Sequence, residues 1–103
     1  MDTVTIYKGD YGYALSYTCQ DNAGTAFSLS GYTAYLVVWE PDDSNAHLTG
    51  TCTTDVAASG TCHYDVVSGN FDTEFKYMAK IRVEKASTKI SFEPFWLDVK
   101  ESI

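Results

Sequence analysis

Positive charge is scarce in this 103-residue chain: seven Lys and Arg stand against fourteen Asp and Glu, a formal charge of −7. Nucleic-acid phosphates are gripped by cationic surfaces, so neither DNA nor RNA is an expected partner. Only two prolines are present, and no eleven-residue window keeps apolar residues at i, i+3, i+4 and i+7, which removes amphipathic helices from the expected architecture. Long apolar runs are missing too. The longest, Ala34 to Trp39, falls far short of the ~20 residues a membrane-spanning helix needs, so no membrane partner is expected. Met1-Asp2-Thr3-Val4 has neither the basic nor the apolar region of a secretory signal, so the expectation is synthesis in a cytoplasm. Three cysteines are an odd number, and in a reducing compartment they predict free thiols rather than a disulfide framework.

What remains is apolar and aromatic. At 45% apolar and 15% aromatic residues, with eight Tyr and two Trp, the chain has the composition of a pleated, half-buried surface. A chain of this size buries about 60–65% of its unfolded surface, so residues 1–103 are expected to form a single domain. Period-2 alternation predicts strands over about Thr3–Lys8, Tyr13–Gln20, Tyr32–Glu40, Glu74–Lys85 and Thr88–Lys100, punctuated by turns such as Gly9-Asp10-Tyr11-Gly12 and Asp21-Asn22-Ala23-Gly24. In the last strand the apolar parity flips at Glu93-Pro94, the mark of a bulge. The spacing predicts an all-β protein, an immunoglobulin-like β-sandwich of seven or eight mostly antiparallel strands, with a small barrel as the other solution.

Two segments stand out. The strand Tyr32–Glu40 is apolar on both faces. With Tyr35, Val37 and Trp39 assigned to the core, Ala34, Leu36 and Val38 are left outward as a candidate interface with another subunit. The second segment is an echo: "TGTCTTDVAA" from Thr49 is followed by "SGTCHYDVVS" from Ser59, sharing Gly50/Gly60, Thr51/Thr61, Cys52/Cys62, Asp55/Asp65 and Val56/Val66. Read as a hairpin with its loop at Asp55–Ser59, it brings Cys52 and Cys62 together as paired core thiols, unbonded in a reducing cytoplasm.

Catalytic chemistry has little to work with. His47 and His63 are the only imidazoles, both in or beside the echo. With Cys52 and Cys62 they make a zinc-compatible donor set, but no Cys-x-x-Cys knuckle is present and His63 points away from its neighbour Cys62. The acidic pair Asp42-Asp43 in "DDSN" lacks the alternation, Gly turn and distal Glu of a calcium loop. No phosphate-cradling loop occurs, and Lys8-Gly9-Asp10 reads as a turn rather than an adhesion tripeptide. No catalytic residue, metal or cofactor is therefore expected. Lys76, Lys80 and Arg82 form the one local basic stripe, a solvated sheet face or a dock for an acidic partner.

The stretches "YKGDYGYALSYTCQDNAGTAFSLSGYTAYLVVW", "ASGTCHYDVVSGNF", "KYMAKIRV" and "FWLDV" together resemble the N-terminal domain family of tailed-phage baseplate upper proteins. The likeness lies in the turn Gly9-Asp10, the run Asp21 to Thr25, the corner Leu29-Ser30-Gly31, the stretch Gly60 to Tyr64, and Asn70-Phe71. It implies an immunoglobulin-like virion module without catalytic residues that docks onto other phage structural proteins of the baseplate, tail or capsid. A homo-oligomer in the particle is the corresponding expectation. A carbohydrate- or cell-surface-binding sandwich is the competing expectation, to be favoured if Tyr11, Tyr13, Tyr32 and Trp96 share one exposed patch.

Overall fold

The computed structural model describes residues 2–21, 23–42 and 46–101. Over them, nine strands form: β1 (Thr3–Tyr7), β2 (Ala14–Thr18), β3 (Thr33–Trp39), β4 (Ala46–Thr51), β5 (Thr53–Val56), β6 (Thr61–Asp65), β7 (Phe75–Lys85), β8 (Thr88–Ser91) and β9 (Phe95–Lys100). A single short 3-10 turn, Ala57–Ser59, is the one helical element among the described residues. The larger sheet has the order β1-β9-β7-β3-β4, with β8 also on β7, and the smaller has the order β2-β6-β5. The inner faces of the two share one core, so the protein is an all-β sandwich. Every strand pairing is antiparallel except β1 with β9.

Nine strands appear where seven or eight were expected because two long extended runs are each divided. The first divides at Pro94. Arg82 stands opposite Ser91 and Ala79 opposite Phe95, so three residues, Phe92 to Pro94, face the two residues Lys80 and Ile81. The extra residue is the bulge that the parity flip announced, at the residue with no amide to give to a ladder.

The second division falls at Cys52, where the chain changes sheets. Thr51 is opposite Tyr35 in the larger sheet, whereas Thr53 already pairs with His63 in the smaller one. The Cys52 amide still donates to the Ala34 carbonyl at 2.8 Å. The echo is thus not a simple hairpin: its first half is a strand that crosses between the layers. It returns through Ala57–Ser59 and Gly60, whose φ of 72° is left-handed. The expected register is corrected accordingly, since Thr54 rather than Cys52 stands opposite Cys62. The irregularity between Thr54 and Val56 completes the shift.

The parity of β3 is the reverse of the expected one. Ala34, Leu36 and Val38 are buried at 1%, 1% and 0% exposure, while Tyr35, Val37 and Trp39 face outward. The cause is β7. Its inward set, Tyr77, Ala79, Ile81 and Val83, alternates with Lys76, Lys80, Arg82 and Glu84, and those charges cannot be buried unpaired. Cross-strand partners share a face, and the register sets Ala34 beside Val83, Leu36 beside Ile81 and Val38 beside Ala79. Both β3 faces are apolar, and the outward one carries the larger side chains, so it is the neighbour that decides which is buried.

Candidate functional site

The outer face of the larger sheet combines aromatic rings with nearly all the cations of an acidic chain. Because β3, β7 and β9 are neighbours, their outward residues interleave. Lys76 Nζ lies 4.9 Å from the ring centre of Trp96, Lys80 Nζ 5.9 Å from that of Trp39, and the Arg82 guanidinium 5.2 Å from that of Tyr35. Each such pair contributes about 0.5–1 kcal/mol at an exposed site, and the aliphatic stems shield ring surface from water. Arg82 Nε is also 2.7 Å from Glu84 Oε2, an ion pair whose angle falls outside hydrogen-bond alignment. Val37, between Tyr35 and Trp39 on the same face, adds aliphatic area. The result is a broad sheet surface with three aromatic rings under three cations.

The interface residues named from the sequence are not part of this surface. Ala34, Leu36 and Val38 lie in the core beneath it, and the outward set of the same strand takes their place. The stripe Lys76, Lys80 and Arg82 does lie outward, and the rings it covers come from two other strands, β3 and β9. Tyr11, Tyr13, Tyr32 and Trp96, whose sharing of one patch would favour carbohydrate binding, are not gathered together. Tyr11 is exposed and Tyr13 half-buried beside β2, where Gly12 and Tyr13 bond the backbone of Val66. Trp96 faces outward on the other sheet, and Tyr32 packs on Phe27 under Lys85 at the sandwich end.

The three thiols meet in the core. Cys19, Cys52 and Cys62 are all free and buried. The neighbouring Cys62 thiol, then burial, pushes Cys19 and Cys52 far above the ordinary thiol range. The same two neighbours pull Cys62 in the opposite direction. Cys52 and Cys62 are therefore neighbours as the echo suggested, though by a diagonal relation across the sheet crossing. Cys19 is the member that pairing by echo overlooked; in the sequence it alternates with Leu15 and Tyr17, which sets the three on one face of the strand.

The two imidazoles sit apart. His47 stacks on Tyr77 at 4.4 Å, and its Nε2 is 2.7 Å from the Asn70 carbonyl. His63 lies on the outer face of the smaller sheet, with Nδ1 2.7 Å from Asp55 Oδ1 and Nε2 3.4 Å from Asp65 Oδ1. Neither arrangement presents an activated nucleophile. Among the described residues no cluster of three or more His, Cys, Asp or Glu side chains is disposed to hold a metal ion. Asp42 is exposed, and the rest of "DDSN" lies outside the described residues. Lys8-Gly9-Asp10 is a turn tied down by backbone bonds from Lys8 to Lys100 and from Gly9 to Phe71. A cleft of about 400 Å³ opens beside the free edge of β2, floored by Leu36 and Ile81. No described helix is long and apolar enough to cross a membrane.

Fold and surface together define a two-sheet sandwich whose most distinctive exposed feature is a cationic and aromatic sheet face. In comparisons with known proteins, no family model matches the chain and no curated protein matches it.

Proposed function

We propose that this chain is a non-catalytic structural or adaptor module of a bacteriophage particle. It docks onto other structural proteins of the virion through the outer face of the larger sheet. The observation that carries the docking role is the row of Trp39, Tyr35 and Trp96 held under Lys80, Arg82 and Lys76. Aromatic residues and Arg are the side chains that anchor protein interfaces, because they bring large contact area and directed charge at low entropic cost. Support for the phage setting is the sequence resemblance to baseplate upper-protein domains, carried by the turns at Gly9-Asp10 and Asp21–Thr25 and the corner at Leu29–Gly31. The partners are baseplate, tail or capsid proteins, and the place of action is the virion. The residues named for the carbohydrate-binding alternative do not share one patch, since Tyr11 and Tyr13 lie by the smaller sheet while Trp96 faces out from the larger.

Mass spectrometry of purified particles tests the reading. The chain is expected in the particle, and a variant carrying W39A and K80E is expected to fold yet be lost from it. Particles lacking the wild-type chain would refute the assignment.

A further inference from the structure

We infer that copies of this chain stack head to tail, the outer face of the larger sheet of one copy against the outer face of the smaller sheet of the next. The inference rests on the docking reading above and names the occupant of that face.

The charge distribution carries the argument. From Gly9 to Phe75 the sequence contains no Lys or Arg, and every base except Lys8 falls between Lys76 and Lys100. Folding concentrates this asymmetry. Strands β7, β8 and β9 are neighbours, so Lys76, Lys80, Arg82, Lys89 and Lys100 share the outer face of the larger sheet. The carboxylates of β7 and β9 on that face, Glu84 and Asp98, are occupied by Arg82 at 2.7 Å and Lys100 at 3.9 Å. All three strands of the smaller sheet, by contrast, come from the base-free stretch. Their outer face bears Asp55 and Asp65 on either side of His63, bordered by the small residues Ala14, Ser16 and Thr53.

The two faces are thus complementary in charge, with cations laid over half-buried rings on one and carboxylates on the other. They lie on opposite sides of the sandwich, because the remaining side of each sheet is the shared core. A contact between unlike faces on opposite sides cannot be closed by a two-fold pair. It propagates, as a ring or an open stack. The net −7 of each copy opposes approach at long range, but beyond about 8 Å that repulsion is screened at physiological salt, and the facing patches decide.

The test uses the purified full chain in analytical ultracentrifugation, with two variants whose cooperative melting is checked first. K76E/K80E removes the cationic face, and D55K/D65K removes the acidic one. The wild type is expected to form species beyond a dimer at about 0.1–1 mM, with association weakened at least tenfold near ~0.5 M salt. Each variant alone is expected to be a monomer. Mixed one to one, they are expected to associate again, at least to a heterodimer through the two faces left intact. If D55K/D65K does not melt cooperatively, Asp65→Asn at the exposed strand end replaces it. A monomeric wild type, a dimer persisting in either variant alone, or a mixture without a heterodimer overturns the inference. Loss of K76E/K80E from particles despite a monomeric wild type would mean that a different acidic virion protein occupies the face, leaving the docking role standing and the stacking refuted.

Discussion

Gly50 in the larger sheet gives up its side chain to the ring of Tyr64 in the smaller: a Cβ at Gly50 would collide with Cε1, Cδ1 and Cζ of that ring. The tyrosine hydroxyl donates to Asn70 Oδ1 at 2.8 Å, and the same oxygen accepts the Val67 amide at 2.9 Å. The ring therefore links the two layers and anchors the turn after β6. Gly50→Ala is expected to cost about 1–3 kcal/mol by overpacking. Tyr64→Leu is expected to relieve part of that cost, with a coupling of roughly 0.5–3 kcal/mol in a double-mutant cycle by urea unfolding. Strictly additive losses would mean that the two residues do not compete for this space.

The strand parity of β3 makes a second comparison. Leu36, at 1% exposure, packs in the core, whereas Val37 next to it faces outward. Leu36→Ala is expected to destabilise by about 2–5 kcal/mol, and Val37→Ala by less than about 1 kcal/mol. Thermal unfolding of the two proteins side by side is sufficient. Equal losses would place both side chains in packed surroundings.

The thiol cluster predicts a difference in chemical access. Cys19 and Cys62 have 0% exposure and Cys52 has 8%, so a water-soluble alkylating reagent should label none of them at an appreciable rate in the native protein. After denaturation under non-reducing conditions, three thiols should label. Cys62→Ser is expected to cost about 1–3 kcal/mol, because a hydroxyl is harder to desolvate than a thiol. A count of one thiol in protein alkylated at lysis would reveal a disulfide instead.

Alkaline stability follows from four tyrosines. Burial raises the pKa of Tyr13, Tyr17, Tyr64 and Tyr77 above the usual 10.0, assisted by Asp10 at Tyr13. The folded state then holds protons that the unfolded state releases. The contribution is fully present below the unfolded value of 10.0 and is lost as pH rises through the folded values. Melting temperature should therefore fall between about pH 9.5 and 11.5. A Tm that stays level across that window would contradict the shifts.

Much of the fold was legible locally. The alternation of β7 assigned Phe75, Tyr77, Ala79, Ile81 and Val83 inward, with Phe75 packed at the margin of the core, and the parity flip at Glu93-Pro94 located the bulge, because both signals are carried by residues adjacent in sequence. The basic stripe was legible too, as a consequence of the same alternation. The identity of the rings beneath it was not, since Trp39, Tyr35 and Trp96 reach it from other strands.

Three features belong to the tertiary structure alone. The face of β3 that is buried depends on its register with β7, because both parities of that strand are apolar. The partner of Cys52 depends on the chain changing sheets at that residue, which no hairpin symmetry in the echo encodes. Gly50 and Gly60 are equivalent letters in the two halves of the echo, yet Gly50 makes room for a ring from the other sheet, while Gly60 takes a φ of 72° with a virtual Cβ 2.5 Å from the Phe27 carbonyl oxygen. Amino-acid order by itself determined an all-β chain and the inward residues of strands that have one apolar face, since a period of two is a property of neighbours along the backbone. Sheet membership, register and the gathering of charge onto one face were decided only by pairings between distant segments, which local alternation leaves open.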